Sequence, residues 1–413
     1  MKNIIAFVIA VLCSVAQAQT CTTTIGPSTT STFIDSAIGS ASAGAVICLS
    51  SGDYLDQVIT SRNPSSNITI RSASGRGATF SGGLNIKRSS NLIFKSLTLN
   101  SCWVNVDSGA SPVNHDITLA DNLIQADGTT GGSGRCTLTG GTNILLYGNT
   151  FSGGYRSDGF EGQLYITNSN AVTSSNVIAH NTFEGTGACG DGIQFTSDGG
   201  DTTVGPGNIF RNWVQGGCGS GTGFGAHVDA IQFVGGSNIT VIGNYFENNT
   251  VNHGIYDGAI NISITHNIYN GQNSGTQSFQ IGGVQGMTFS HNTLKGIIGG
   301  IGSKAANSPN SSWVIENNIF KTTDWSTASS DQDEGCGSGC VFRYNIITSD
   351  SAFSIVATPT NTVTGEPSWV GGASPANWYG WKLNAGSPGK TAGNDSKDMG
   401  TLYYKRGPVT GVN

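Results

Sequence analysis

Two short segments share the pattern Asp-x-Ile-Gln-Phe: Asp191-Gly192-Ile193-Gln194-Phe195 and Asp229-Ala230-Ile231-Gln232-Phe233. In a strand, alternation sends Ile and Phe to one side and Gln to the other. Gln194 and Gln232 would then face outward as neutral amides able to hold an anion. His227 and His253 lie close by in sequence, two of only six His, and imidazole titrates near neutral pH as a general base must. Tyr256 adds a phenol, a base or an acid once a neighbouring cation lowers its pKa. Arg156, with Glu161 following, offers a guanidinium fork that grips a carboxylate through two hydrogen bonds. Asp191 and Asp229 support a different chemistry, an acid–base pair for glycoside hydrolysis. There a carboxyl separation of about 5 Å favours retention and roughly 6.5–9.5 Å favours inversion. Each type also has an architectural use: amide columns satisfy hydrogen bonds between strands, and Asp caps turns.

The elements that must position these residues are written as a repeat. Asn recurs at 122, 149, 181, 212, 244, 267, 292, 318 and 345, each with an apolar residue two places later. Most of these Asn follow an alternating segment such as Asn261-Ile262-Ser263-Ile264-Thr265. Period-two alternation recurring every 23–32 residues describes a β-solenoid. Asn tolerates the left-handed corner conformation, and its side chains can bond along a column. The expected fold is all-β, a single-stranded right-handed parallel β-helix. Counted from the Asn column, Gln163, Gln194, Gln232, Tyr256 and Gln280 should form one outward column. Asp191, Asp229, His253 and Gln277 should form a second beside it, with His227 adjoining.

The ends and the composition bound the class. Lys2, an apolar run from Ile4 to Cys13 and the small-residue site Ala16-Gln17-Ala18 describe a signal peptide over residues 1–18. The β-helix should span 19–350. Residues 351–413, which lose the repeat and hold Trp369, Trp378 and Trp381, should cap it. Eight Cys follow the signal segment. In an oxidising compartment they are expected as neighbouring disulfides: Cys21–Cys48, Cys102–Cys136, Cys189–Cys218 and Cys336–Cys340. A net charge of −6 argues against a nucleic-acid partner, and no stretch after the signal segment is long enough to span a membrane. A secreted monomer is expected.

Residues 44–54, Gly-Ala-Val-Ile-Cys-Leu-Ser-Ser-Gly-Asp-Tyr, resemble the first coil of pectate-lyase-like β-helix proteins, notably the chondroitinase B and alginate lyase type. Asn67-Ile68-Thr69-Ile70-Arg71, Asn91-Leu92-Ile93-Phe94 and the closing Ala385-Gly386-Ser387-Pro388 with Asp398-Met399-Gly400 continue the resemblance. It implies a polysaccharide lyase that cleaves a uronate-containing polymer by β-elimination. The family's catalytic Lys and Arg find no matching local pattern here, so the roles stay with the local residues. His227, His253 or Tyr256 would take the proton, with Asp191 and Asp229 beside them. Gln194, Gln232, Arg156 and Glu161 would bind substrate. Ca²⁺ is the expected cofactor if a cation neutralises the carboxylate. The alternatives are the Asp191/Asp229 hydrolase and a non-catalytic polysaccharide-binding adhesin.

Overall fold

The structure, a computed structural model, describes residues 20–105, 114–126, 136–153, 162–167, 175–185, 190–196, 199–214, 228–256, 258–272, 278–297, 301–302, 311–323, 325–326, 339–349, 351, 353–354 and 359–402. The chain winds through three parallel sheets in turn, of 13, 13 and 10 strands, which makes a parallel β-helix. Among the described residues, ten coils contribute a strand to all three, as the strands of the third sheet count out. Inward side chains from every coil merge into one continuous core. Phe151, Phe183, Phe210, Phe246 and Tyr269 stack along it with ring centroids 4.5–4.8 Å apart. That interval matches the step between parallel strands.

The Asn column runs between the first and second sheets, with one correction. Asn208, not Asn212, occupies its fourth position: Asn181 donates through its main chain and Nδ2 to Asn208 Oδ1, and Asn208 Nδ2 donates to Asn244 Oδ1. Asn212 instead sits past the next strand at φ 62°, bonded to Glu184 and Asn248. Asn208 carries Phe210 two residues on, in register with Phe183 and Phe246. All nine column Asn are fully buried. The left-handed corner belongs to the residue before each one, among them Asp121, His180, His266, His291 and Tyr344. The Asn itself serves as the buried hydrogen-bonding group, satisfying main-chain atoms that the corner would strand.

The first coil is covered by a helix, and the C-terminal tail, expected as a cap on the last coils, packs along a flank. A helix at Phe33–Ser40, not anticipated from the sequence, places Ile34 and Ile38 in the core, and Ile34 N–H donates to Gln57 Oε1. In the C-terminal tail, Trp369, Trp378, Trp381, Leu383 and Met399 pack on an outward row of the second sheet that includes Tyr245, Ile268, Ile319 and Ile346. The tail therefore lies along a flank of the solenoid. Thr401 Oγ1 reaches back to His266 O at 2.7 Å. The disulfides Cys21–Cys48 and Cys102–Cys136 form as expected, each tying adjacent coils. Cys340 is disulfide-bonded too. Cys189, Cys218 and Cys336 lie outside the described residues.

Candidate functional site on the third sheet

Loop lengths point to one face. From the coil of Asn122 onward, the connection from first to second sheet is two residues in every coil except that of Asn208, where it is four. The buried Asn ladder holds this corner to a nearly constant length. Connections from the second to the third sheet range instead from one residue, between Tyr245–Asn249 and Val251–Tyr256, to 17, between Ile209–Arg211 and Asp229–Val234. Those leaving the third sheet also vary. Length variation concentrated along the two edges of one rigid sheet marks where a fold places recognition and chemistry.

The outer face of that sheet carries a column set by register. Asn85, Trp103, Thr137, Tyr165, Gln194, Gln232, Gly254 and Gln280 occupy successive coils. Gln194 and Gln232 thus face out on adjacent coils, as the shared pentapeptide predicts. Their amides are joined, Gln194 Nε2 donating to Gln232 Oε1 at 2.5 Å, and each residue is only 7% exposed. Gln194 Oε1 is buried and meets no donor among the described residues. A buried acceptor left open costs about 1–3 kcal/mol, so a donor brought within reach of Gln194 Oε1 would be favoured there. Half-buried Trp103 and Tyr165 continue the column toward the N-terminal coils. Sequence reasoning missed both. The signal was present, since each alternates with inward apolar residues: Cys102 and Val104, Leu164 and Ile166.

Other predicted members fall elsewhere. Gln163 lies two residues before Tyr165, off the column, and donates to Gly153 O and Glu184 O. Gly254, not Tyr256, follows Gln232; Tyr256 pairs with Val234, one pleat further along. His253 pairs with inward Ile231 and is fully buried, ringed by Phe246, Tyr269 and Phe279. Its Nε2 bonds Tyr269 Oη at 2.7 Å, and burial pushes its pKa down to about 3. It is a neutral core residue that no substrate reaches, which corrects its assignment as a base.

Asp191 and Asp229 are adjacent, as predicted, but they do not line an open groove. Their exposures are 2% and 0%, and Asp229 shares the inward side of its strand with Ile231 and Phe233. Asp229 N–H donates to Asp191 Oδ1 at 2.9 Å. Burial, reinforced by the Asp229 charge, holds the Asp191 carboxyl well above the usual range. A closed pair of this kind is not set up to protonate a glycosidic oxygen. The common error behind these misplacements is counting along the chain from the Asn ladder, because the intervening connections vary in length. His227, Arg156 and Glu161 lie outside the described residues, as does the side chain of Tyr256. Among the described residues no cluster of three or more His, Cys, Asp or Glu side chains stands ready for a metal ion.

No family model and no curated protein matches the chain. Solved structures do. A mannuronic acid specific polysaccharide family 6 lyase from human gut microbiota superposes with TM-score 0.54 at 15% identity, over 82% of this chain and 81% of that one. A family 6 polysaccharide lyase from Pseudopedobacter saltans gives TM-score 0.48 at 13% identity, over 82% and 94%. A surface adhesin of Streptococcus pneumoniae gives 0.45 at 12%, over 80% and 84%. At these identities the likeness is one of fold.

Proposed function

We propose that this is an exported carbohydrate-active enzyme that binds an acidic, uronate-containing polysaccharide on the outer face of the third sheet and cleaves it by β-elimination. The observation that carries the reading is the Gln194–Gln232 amide pair, outward, nearly buried, and holding an open acceptor on a face edged by connections of very unequal length. An open amide oxygen in a partly dry site accepts from a sugar hydroxyl and so orients the polymer for the reaction. In the elimination, a base takes the proton from the carbon beside the carboxylate. A carbon–carbon double bond forms as the glycosidic carbon–oxygen bond breaks, and the leaving oxygen gains a proton. With His253 locked in the core, His227 and Tyr256 are the assigned proton-transfer groups, and Arg156 with Glu161 the assigned substrate contacts. Disulfides between coils fit an oxidising compartment.

The test is incubation with uronate-containing and neutral polysaccharides, reading ultraviolet absorbance of unsaturated ends together with reducing ends. The fold shared with a mannuronate lyase puts mannuronate polymers first in that set. Both signals together support elimination. Reducing ends alone would replace it with hydrolysis, and binding without cleavage would leave the adhesin reading.

A further inference from the structure

Trp103 projects from the strand Cys102–Asn105, on the same outward column as Gln194 but three coils nearer the N-terminus. Its indole does not stand off the sheet. A Cβ placed on Gly83, in the preceding coil, would meet Ser101 Oγ first and would lie 3.2 Å from the edge of the Trp103 six-membered ring. Gly83, at φ 105°, therefore keeps clear a space bordered by Ser101 and by the edge of the Trp103 ring. Trp103 as a residue is half-buried. Between it and the amides, the column holds Thr137, a small polar side chain, and half-buried Tyr165.

We infer that Trp103 is a sugar-stacking subsite remote from the amide pair, so that the polymer lies along the solenoid axis and recognition extends several sugar units toward the N-terminal coils. The inference rests on the proposed function for the location of the amide site, but it adds its own claim about substrate length. An indole offers a broad apolar face that packs against the C–H face of a pyranose. Three coil steps of about 4.8 Å separate Trp103 from Gln194, roughly 14 Å, too far for a single sugar to touch both. The consequence is a preference for long chains and cleavage within them, since only a long chain fills both places.

The experiment compares Trp103→Ala and Gln232→Ala with the unaltered protein, using a uronate polymer and its monosaccharide and disaccharide. Binding is read by calorimetry and, if present, turnover by unsaturated ends. Trp103→Ala should weaken polymer binding about tenfold, the equivalent of one lost aromatic contact, and leave the two short sugars unchanged. Trp103→Phe should recover part of the loss. Should Trp103→Ala bind polymer like the unaltered protein while Gln232→Ala loses it, the subsite is refuted and the amide site stands. Equal losses on long and short chains would also overturn it, because the ring would then be shaping the site and not extending it. If neither variant alters binding, the reading of the face itself fails.

Discussion

Replacing Asn208 by Ala tests the corrected ladder. Asn208 makes four side-chain bonds, accepting from Asn181 N and Nδ2 and donating to Ile178 O and Asn244 Oδ1, all at 2.7–3.1 Å. Asn181 Nδ2 keeps Leu146 O and Ala179 O, so its loss is small. The Asn181 main-chain N–H loses its acceptor in a fully buried position, and the Ile178 carbonyl and Asn244 Oδ1 lose a donor. At roughly 1–3 kcal/mol for a stranded buried group, with some relaxation, destabilisation of about 3 kcal/mol follows. Asn212→Gly is the control: glycine accepts its left-handed φ, and the bonds lost to Glu184 and Asn248 are partly exposed, so less than about 1 kcal/mol is expected. Urea unfolding midpoints of both variants, measured side by side, decide the matter. A glycine at 212 as damaging as an alanine at 208 would refute the ladder assignment.

Asp191→Asn should raise stability at neutral pH, because it removes the buried group whose ionisation burial and Asp229 oppose, while its amide oxygen can still accept from Asp229 N–H; a loss of stability with abolished turnover would return the pair to catalysis. Acid should destabilise the fold through His253 and His266, whose folded pKa values fall to about 3 and about 4, below the ordinary 6.5. Their contribution is fully present above pH 6.5 and is lost as pH falls toward those values, at about 1.4 kcal/mol per pH unit for each group. His253→Phe should flatten that dependence in denaturation series between pH 7 and 4, and an unchanged slope would contradict the burial. Replacing Cys102 and Cys136 together by Ala frees a crosslink between residues 34 apart and should lower stability by about 4 kcal/mol, read as a fall in thermal midpoint.

The repeat made the solenoid legible, because inward alternation and the buried Asn are demanded in every coil. It also led to the ladder's one error: Arg211-Asn212-Trp213-Val214 satisfies the same Asn-x-apolar pattern as Asn208-Ile209-Phe210 four residues earlier. Only the buried bonds and the Phe stack separate them. The Gln194/Gln232 pairing was readable because the two pentapeptides are near copies. The wall around them was not, since register across coils is set by backbone pairing and connections of one to 17 residues break any fixed offset. His253 illustrates the point. One strand position separates it from Gly254, and that single step turns a candidate base into a core residue. The helix at Phe33–Ser40 had a short signal in Phe33, Ile34, Ala37 and Ile38, overshadowed by the strands that follow.

The central claim is that the outer face of the third sheet, centred on Gln194 and Gln232, binds the polysaccharide. Calorimetric titration of a mannuronate oligosaccharide long enough to span several coils tests it, using the unaltered protein and Gln194→Ala, Gln232→Ala and the double variant. Loss of a hydrogen-bonded contact in a partly dry site should weaken binding about tenfold in each single variant. Because the two amides act as one joined pair, the double variant should lose little more than either alone. Variants that bind as tightly as the unaltered protein would contradict the account.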